Sequence, residues 1–233
     1  MGRYLGFVDP SLFFSSLAAP IVVGIGVGWI SNRWSSSHGW LQAEVESRSN
    51  YYAEVLVAGQ ELREALPHMY EHAALLRDFE DSGHDDEPDT AFLEGAREID
   101  ELAERTVATW RRQVRKAPIY SAAVVATPIK ASDDALDRML GAFHQIDPLP
   151  TLQLRCQIVQ LWMQAVESTI ERDMVDLRLS AIRGLPWRQR RAERLHLRET
   201  SSVLEAEITE KIQEISSIVD KLEVIESSGD VNV

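Results

Sequence analysis

The stretch Trp40–Glu80, WLQAEVESRSNYYAEVLVAGQELREALPHMYEHAALLRDFE, decides how this chain is read. Leu41, Val45, Tyr52, Val55, Gly59, Leu62, Leu66, Met69, Ala73 and Leu76 recur in it at alternating intervals of four and three residues. Only Arg48 interrupts the alternation. A period of ~3.5 residues places all of these side chains on one face of a helix, the seam of long bundle or coiled-coil helices. Pro67 removes a backbone donor from the middle of the stripe. The stripe keeps its phase across that proline, so the spacing predicts one kinked helix rather than two.

The same period returns downstream. Phe92, Ala96, Ile99, Ala103, Val107, Trp110 and Val114 predict a helix over Thr90–Arg115, with Pro118 stopping it. Pro118–Lys130, apolar and bounded by prolines, reads as a connector too short to cross a membrane. Ser132-Asp133-Asp134 looks like the cap of a short helix to Gln145, with Leu136, Met139, Leu140 and Phe143 facing in. After the turn Asp147-Pro148-Leu149-Pro150, a long helix is expected to Arg183. Its face is wide, with Leu152, Cys156, Val159, Met163, Val166 and Ile170 beside Leu154, Ile158, Leu161 and Ala165, as suits the centre of a bundle. Gly184 and Pro186 break it. A last helix starts near Trp187 and runs through Leu204, Ile208, Ile212, Ile215, Ile218, Leu222 and Ile225, leaving residues 227–233 as a disordered tail. No segment alternates as a strand would. The fold class expected is all-α, with an antiparallel bundle of long helices over residues 40–226.

Upstream of the seam lies Leu12–Ile30, LFFSSLAAPIVVGIGVGWI, without a single charge. At ~1.5 Å per residue it spans ~28 Å, close to the ~30 Å hydrocarbon core of a bilayer. The sequence therefore predicts a single N-terminal transmembrane helix, with residues 1–34 as tail and anchor and residues 35–39 as linker. Only Arg3 precedes the apolar run, which is longer than a signal-peptide core, so a retained anchor is expected. Asp9-Pro10 suits its start, and Trp29, Trp34 and Trp40 bracket its exit at headgroup depth. Ser16, Pro20, Gly24 and Gly28 fall four apart, a small-residue stripe that lets helix backbones approach closely in lipid. That stripe predicts a homo-oligomer, or contact with another membrane protein.

The formal charge of the 233 residues is −13 and the pI about 4.9, which argues against nucleic acid as a partner of the whole surface. Two basic clusters stand against that background. Arg111, Arg112, Arg115 and Lys116 follow Trp110; Arg183, Arg188, Arg190, Arg191, Arg194 and Arg198 surround Trp187. Counting antiparallel helices from the anchor returns both clusters to the membrane end, together with Arg33, and sends the acidic loop Asp78–Asp89 to the far end. Basic residues at that end fit an anionic inner leaflet, so the bundle is expected in the cytoplasm at the cell membrane, with the amino terminus outside.

Candidate chemistry is sparse. His68-Met69-Tyr70-Glu71-His72 fits H-x-x-E-H, in which His68 and His72 would hold zinc and Glu71 would act as general base. A third ligand would have to come from Asp133, Asp134, His144 or Asp147, because no glutamate lies between Glu104 and Glu167. The acidic loop lacks the register of a calcium-binding EF-hand. The lone Cys156 sits on an apolar stripe and reads as a packed thiol. The function expected is a membrane-anchored helical interaction or scaffold protein, without catalysis and without a cofactor. The alternatives are a membrane-bound zinc hydrolase using the histidine motif, and a subunit of a small oligomeric channel.

Overall fold

The computed structural model describes residues 39–81, 90–144, 148–182 and 187–229. They form five helices and, among the described residues, no strand: α1 (Gly39–Asp81), α2 (Thr90–Tyr120), α3 (Ala123–His144), α4 (Leu149–Ala181) and α5 (Trp187–Gly229). None of these helices is long and apolar enough to cross a membrane. The expected anchor Leu12–Ile30, its stripe Ser16, Pro20, Gly24 and Gly28, the linker up to residue 38, Arg33 and Arg183 all lie outside the described residues.

Successive helices run antiparallel, as the contacts along them show. Tyr51, Gly59 and Met69 of α1 lie beside Tyr120, Trp110 and Ile99 of α2, while Arg111 of α2 meets Asp133 and Asp137 of α3. Cys156 of α4 touches Met139 of α3, and Arg172 of α4 pairs with Glu205 of α5. The ring closes where α4 lies on α1, through Arg63–Glu167 and Arg48–Asp173. Helices α1 to α4 thus form an up-down-up-down bundle, and α5 packs along α4.

The seam of α1 is buried as its period requires: Tyr52, Val55, Leu62, Leu66 and Met69 are all 4% exposed or less. Helix α1 continues through Pro67, whose ring sits on the exposed side. Gly59, in the same seam, lies where Trp110 and Met163 come closest to the α1 backbone. Helix α4 is the hub, touching α1, α3 and α5, and its broad apolar face is accounted for by those three neighbours. Cys156 is buried there with its Sγ 3.5 Å from the Met139 sulfur, and burial pushes its thiol pKa up to about 12.

The connector between α2 and α3 is where the chain departs from expectation. Pro118 does not stop α2, which runs on to Tyr120, and Ala123 already begins α3. Pro118 is exposed, so water can take the carbonyl that its missing N–H leaves. The connection is only Ser121–Ala122, with the Ser121 N–H and hydroxyl both donating to the Ala117 carbonyl, at 3.0 and 2.6 Å. Ser132-Asp133-Asp134 is therefore not a cap but mid-helix; the Ser132 hydroxyl donates to Ile129 O at 2.7 Å. The packing reason is a seam that starts earlier than Ser132. Val125, Ile129, Ser132, Leu136 and Met139 alternate by four and three and are all buried. Helix α5 reaches Gly229, into the stretch assigned to the tail, and residues 230–233 lie outside the described residues.

Candidate functional site

Three features compete as a site: the histidine motif, the grooves between helices, and the polar and basic groups at the Gly39 end of the bundle. The histidine motif is split by the helix that carries it. His72 is 4% exposed and stacks on Phe143 of α3, with ring centroids 6.4 Å apart. The His68 side chain is 60% exposed, and its Nδ1 lies 3.8 Å from Glu71, itself on the surface. One imidazole thus packs in the core while the other stands in water. Asp133 and Asp134 lie on α3 about ten residues from Phe143, which is ~15 Å along the helix. Asp133 is turned toward Arg111, and burial followed by its neighbour Asp137 raises its carboxyl above the ordinary range. Among the described residues no three metal-ligating side chains converge; the His144 side chain and Asp147 lie outside them.

Grooves run between the helices, two of them apolar at the base, among the described residues. The larger, about 740 Å³, opens between α2 and α3 above α1, floored by Met69, Ile99, Val107, Leu140 and Phe143. Its rim carries Asp100 and Glu104 toward one end and Arg111, Arg112 and Arg115 toward the other. The smaller, about 420 Å³, lies where α5 covers α3 and α4, with Ile158, Trp162, Ile215 and Leu222 beneath Arg138, Arg155 and Glu226. Arg155 reaches Glu226 at 2.7 Å, closing that groove with an ion pair.

In the half of the bundle toward Gly39, α1, α3 and α4 are joined by a buried polar cluster. The Tyr52 hydroxyl donates to the Asp173 carboxylate at 2.6 Å and accepts the N–H of Ala122, the residue before α3, at 3.3 Å. Arg48 approaches the same carboxylate at 3.4 Å and holds Glu44 at 2.5 Å. Burial, and then the bond to Asp173, raise the Tyr52 phenol well above its ordinary value, so it stays a donor. Tyr51 beside it donates to Gln113 O at 2.8 Å and packs near Tyr120. Tyr52 in the α1 stripe and Tyr51 next to it thus set the α2–α3 turn. The only signal in the sequence was the place of Tyr52 in the seam, where a phenol needs a partner when buried.

The basic residues separate into two unlike groups. On α2, Trp110 is completely buried, Arg111 is paired with Asp133 and Asp137, and Lys116 holds Glu54 at 2.5 Å and keeps that carboxyl below its ordinary range. Arg112 and Arg115 are exposed. This cluster lies level with residues 51–59 of α1, at least ~18 Å along the bundle from Gly39. Two of its four cations are spent on ion pairs. On α5, Trp187, Arg190, Arg191, Arg194, Leu195 and Arg198 line one face, around a shallow hollow of about 300 Å³.

Comparison with family models, with curated proteins and with solved structures finds no match for this chain. Function must therefore be argued from the chain's own geometry.

Proposed function

We propose that this protein is a membrane-anchored helical scaffold, working without catalysis through surfaces on its bundle and through self-association of its anchor. The observation that carries the reading is the polarity of the bundle. Helix α1 begins at Gly39, at the end where α2 turns into α3 and α5 begins, and the uncharged run Leu12–Ile30 precedes that helix by a short polar linker. A bundle attached there hangs end-on from the membrane, with the grooves along its sides turned to the surrounding solution. The cytoplasmic side follows from the arginines near that end, under the positive-inside rule.

Self-association rests on the stripe Ser16, Pro20, Gly24 and Gly28, whose small side chains suit close helix packing in lipid. The partner through that stripe is a second copy or another membrane protein. Light scattering of the detergent-solubilised chain tests it: an oligomer is expected, shifting to monomer in Gly24→Leu/Gly28→Leu. A strictly monomeric protein that these substitutions leave unchanged removes the oligomer from the reading. Recovery of the chain in the carbonate-resistant membrane fraction tests the anchor separately.

A further inference from the structure

Helix α5 reaches further toward the anchor end than any other described element, and its first three turns differ in charge from the rest of the molecule. Glu205 of α5 pairs with Arg172 of α4, one residue from Asp173, which meets Arg48 of α1. Tyr52 of α1 meets the same carboxylate, so at ~1.5 Å per residue Trp187 lies ~27 Å below that level and Gly39 ~14–20 Å below it. The start of α5 therefore projects past the start of α1 by ~7–13 Å. It also projects past Ile182, the residue that caps α4, so helix α4 does not cover it.

Trp187–Arg198 holds five arginines and one acid, Glu193, in a chain of net charge −13. At ~100° per residue, Trp187, Arg191, Arg194, Leu195 and Arg198 share one face of α5, and Glu193 falls on the other side. Trp187 and Leu195 are 65% and 64% exposed. Arg188 lies over the Trp187 ring, 5.8 Å from its centroid. Leu197 points away from this face, into a small core with Val175, Ile182 and Leu204 that fixes the rotation of the helix. An exposed tryptophan and leucine among arginines match the two layers of a membrane surface: rings and aliphatic groups at headgroup depth, guanidinium groups on phosphates.

We propose that the first three turns of α5 form a second membrane contact, in which Arg191, Arg194 and Arg198 bind the phosphates of anionic lipid while Trp187 and Leu195 enter the interface. This rests on the anchored reading and adds to it the class of lipid. With a tether at one end of the bundle and this face beside it, the bundle is held at a fixed tilt rather than swinging on the linker. The basic residues of α2, set back from the tip and with Arg111 and Lys116 paired, take no part. The surface of the remainder of α5 is acidic, with Glu199, Glu205, Glu207, Glu210 and Glu214 following within four turns, so contact is confined to the tip.

The test uses the full chain reconstituted in vesicles of phosphatidylcholine alone, or with phosphatidylglycerol added. Leu195→Cys carries an environment-sensitive fluorophore; the native Cys156 is buried and does not compete for label. The emission is expected to shift to the blue in anionic vesicles, and the shift to be lost at high salt or in Arg191→Glu/Arg194→Glu/Arg198→Glu. Each arginine is worth about fivefold in contact with an anionic surface. Identical spectra in neutral and anionic vesicles overturn the proposal, as does a shift that survives the triple reversal. Charge reversal of Arg112 and Arg115 is expected to leave the shift intact; its loss would assign the contact to α2 instead. A shift in neutral vesicles on adding duplex RNA would also overturn it, in favour of nucleic acid. The anchor is scored apart, by flotation of the chain with neutral vesicles: failure there removes the tether, while a missing shift in chains that do float removes only the lipid contact.

Discussion

Replacing Tyr52 by phenylalanine tests the polar cluster that ties α1, α3 and α4 together. Tyr52→Phe keeps the ring, 1% exposed and packed in the seam, and removes only the hydroxyl. That hydroxyl donates to a buried carboxylate, a bond worth ~1.5–3 kcal/mol, and accepts the Ala122 N–H just before α3, worth ~1 kcal/mol. The expected loss is ~2–3 kcal/mol, or ~4–9 °C in Tm for a folded region of this size. Asp173→Leu leaves the Tyr52 hydroxyl without its acceptor and deprives Arg48 of one of two carboxylates; Glu44 remains at 2.5 Å. Its cost is ~3 kcal/mol, the low end for breaking a buried charged pair. The double variant replaces both partners by apolar groups, so it should lose less than the sum of the singles by at least ~1.5 kcal/mol. Urea unfolding of the full chain in mild detergent, followed by near-ultraviolet circular dichroism, measures all three. Losses that add within ~0.5 kcal/mol would refute a direct Tyr52–Asp173 bond. A loss below ~0.5 kcal/mol in Tyr52→Phe would show that the hydroxyl joins nothing in the core.

Gly59→Ala should stabilise the bundle by ~0.5–1 kcal/mol, because its Cβ would meet Trp110 Cζ3 at 3.5 Å and Met163 Sδ at 3.7 Å, ordinary contacts, while the helix gains backbone order; a lower urea midpoint would contradict this. His72→Ala should cost about 2 kcal/mol through the gap left against Phe143, whereas His68→Ala should stay within ~0.5 kcal/mol. Equal losses that appear only when zinc is supplied would revive the metal site. Burial, and then Glu167 and Glu207, raise the Glu171 carboxyl above its ordinary 4.5, so its ionisation opposes folding. That cost is absent below pH 4.5 and complete above the raised folded value, because the folded state then holds the proton more tightly than the unfolded state. Glu171→Gln should therefore raise the urea midpoint at pH 7 and leave it unchanged at pH 4; a lower midpoint at pH 7 would reverse the assignment.

Much of this fold was legible in the order of residues. The alternation of four and three from Val45 to Ala73 requires one buried helical face, and that requirement overrides Pro67, whose ring is on the exposed side. The wide face of α4 announced a helix with neighbours on several sides, and three helices pack there. The reading failed where prolines were weighed ahead of period. Val125 and Ile129 continue the stripe of Leu136 and Met139, and their burial drew Pro128 into a helix that punctuation alone would have ended.

The sequence by itself determined the helices and their inward faces, because apolar period is a local property of the chain. It also set the expectation of an anchor at Leu12–Ile30, which lies outside the described residues. What only the tertiary structure decided was the use of each polar group, since partners come from other helices. His68 and His72 share a motif but not an environment, because four residues carry the helix a little past one full turn and across the edge of the core. Arg111 and Lys116 resemble the arginines of α5 in sequence, yet α3 and α1 neutralise them with Asp137 and Glu54. Helix α5 extends past the end of α4, and that difference in length leaves its arginine face uncovered.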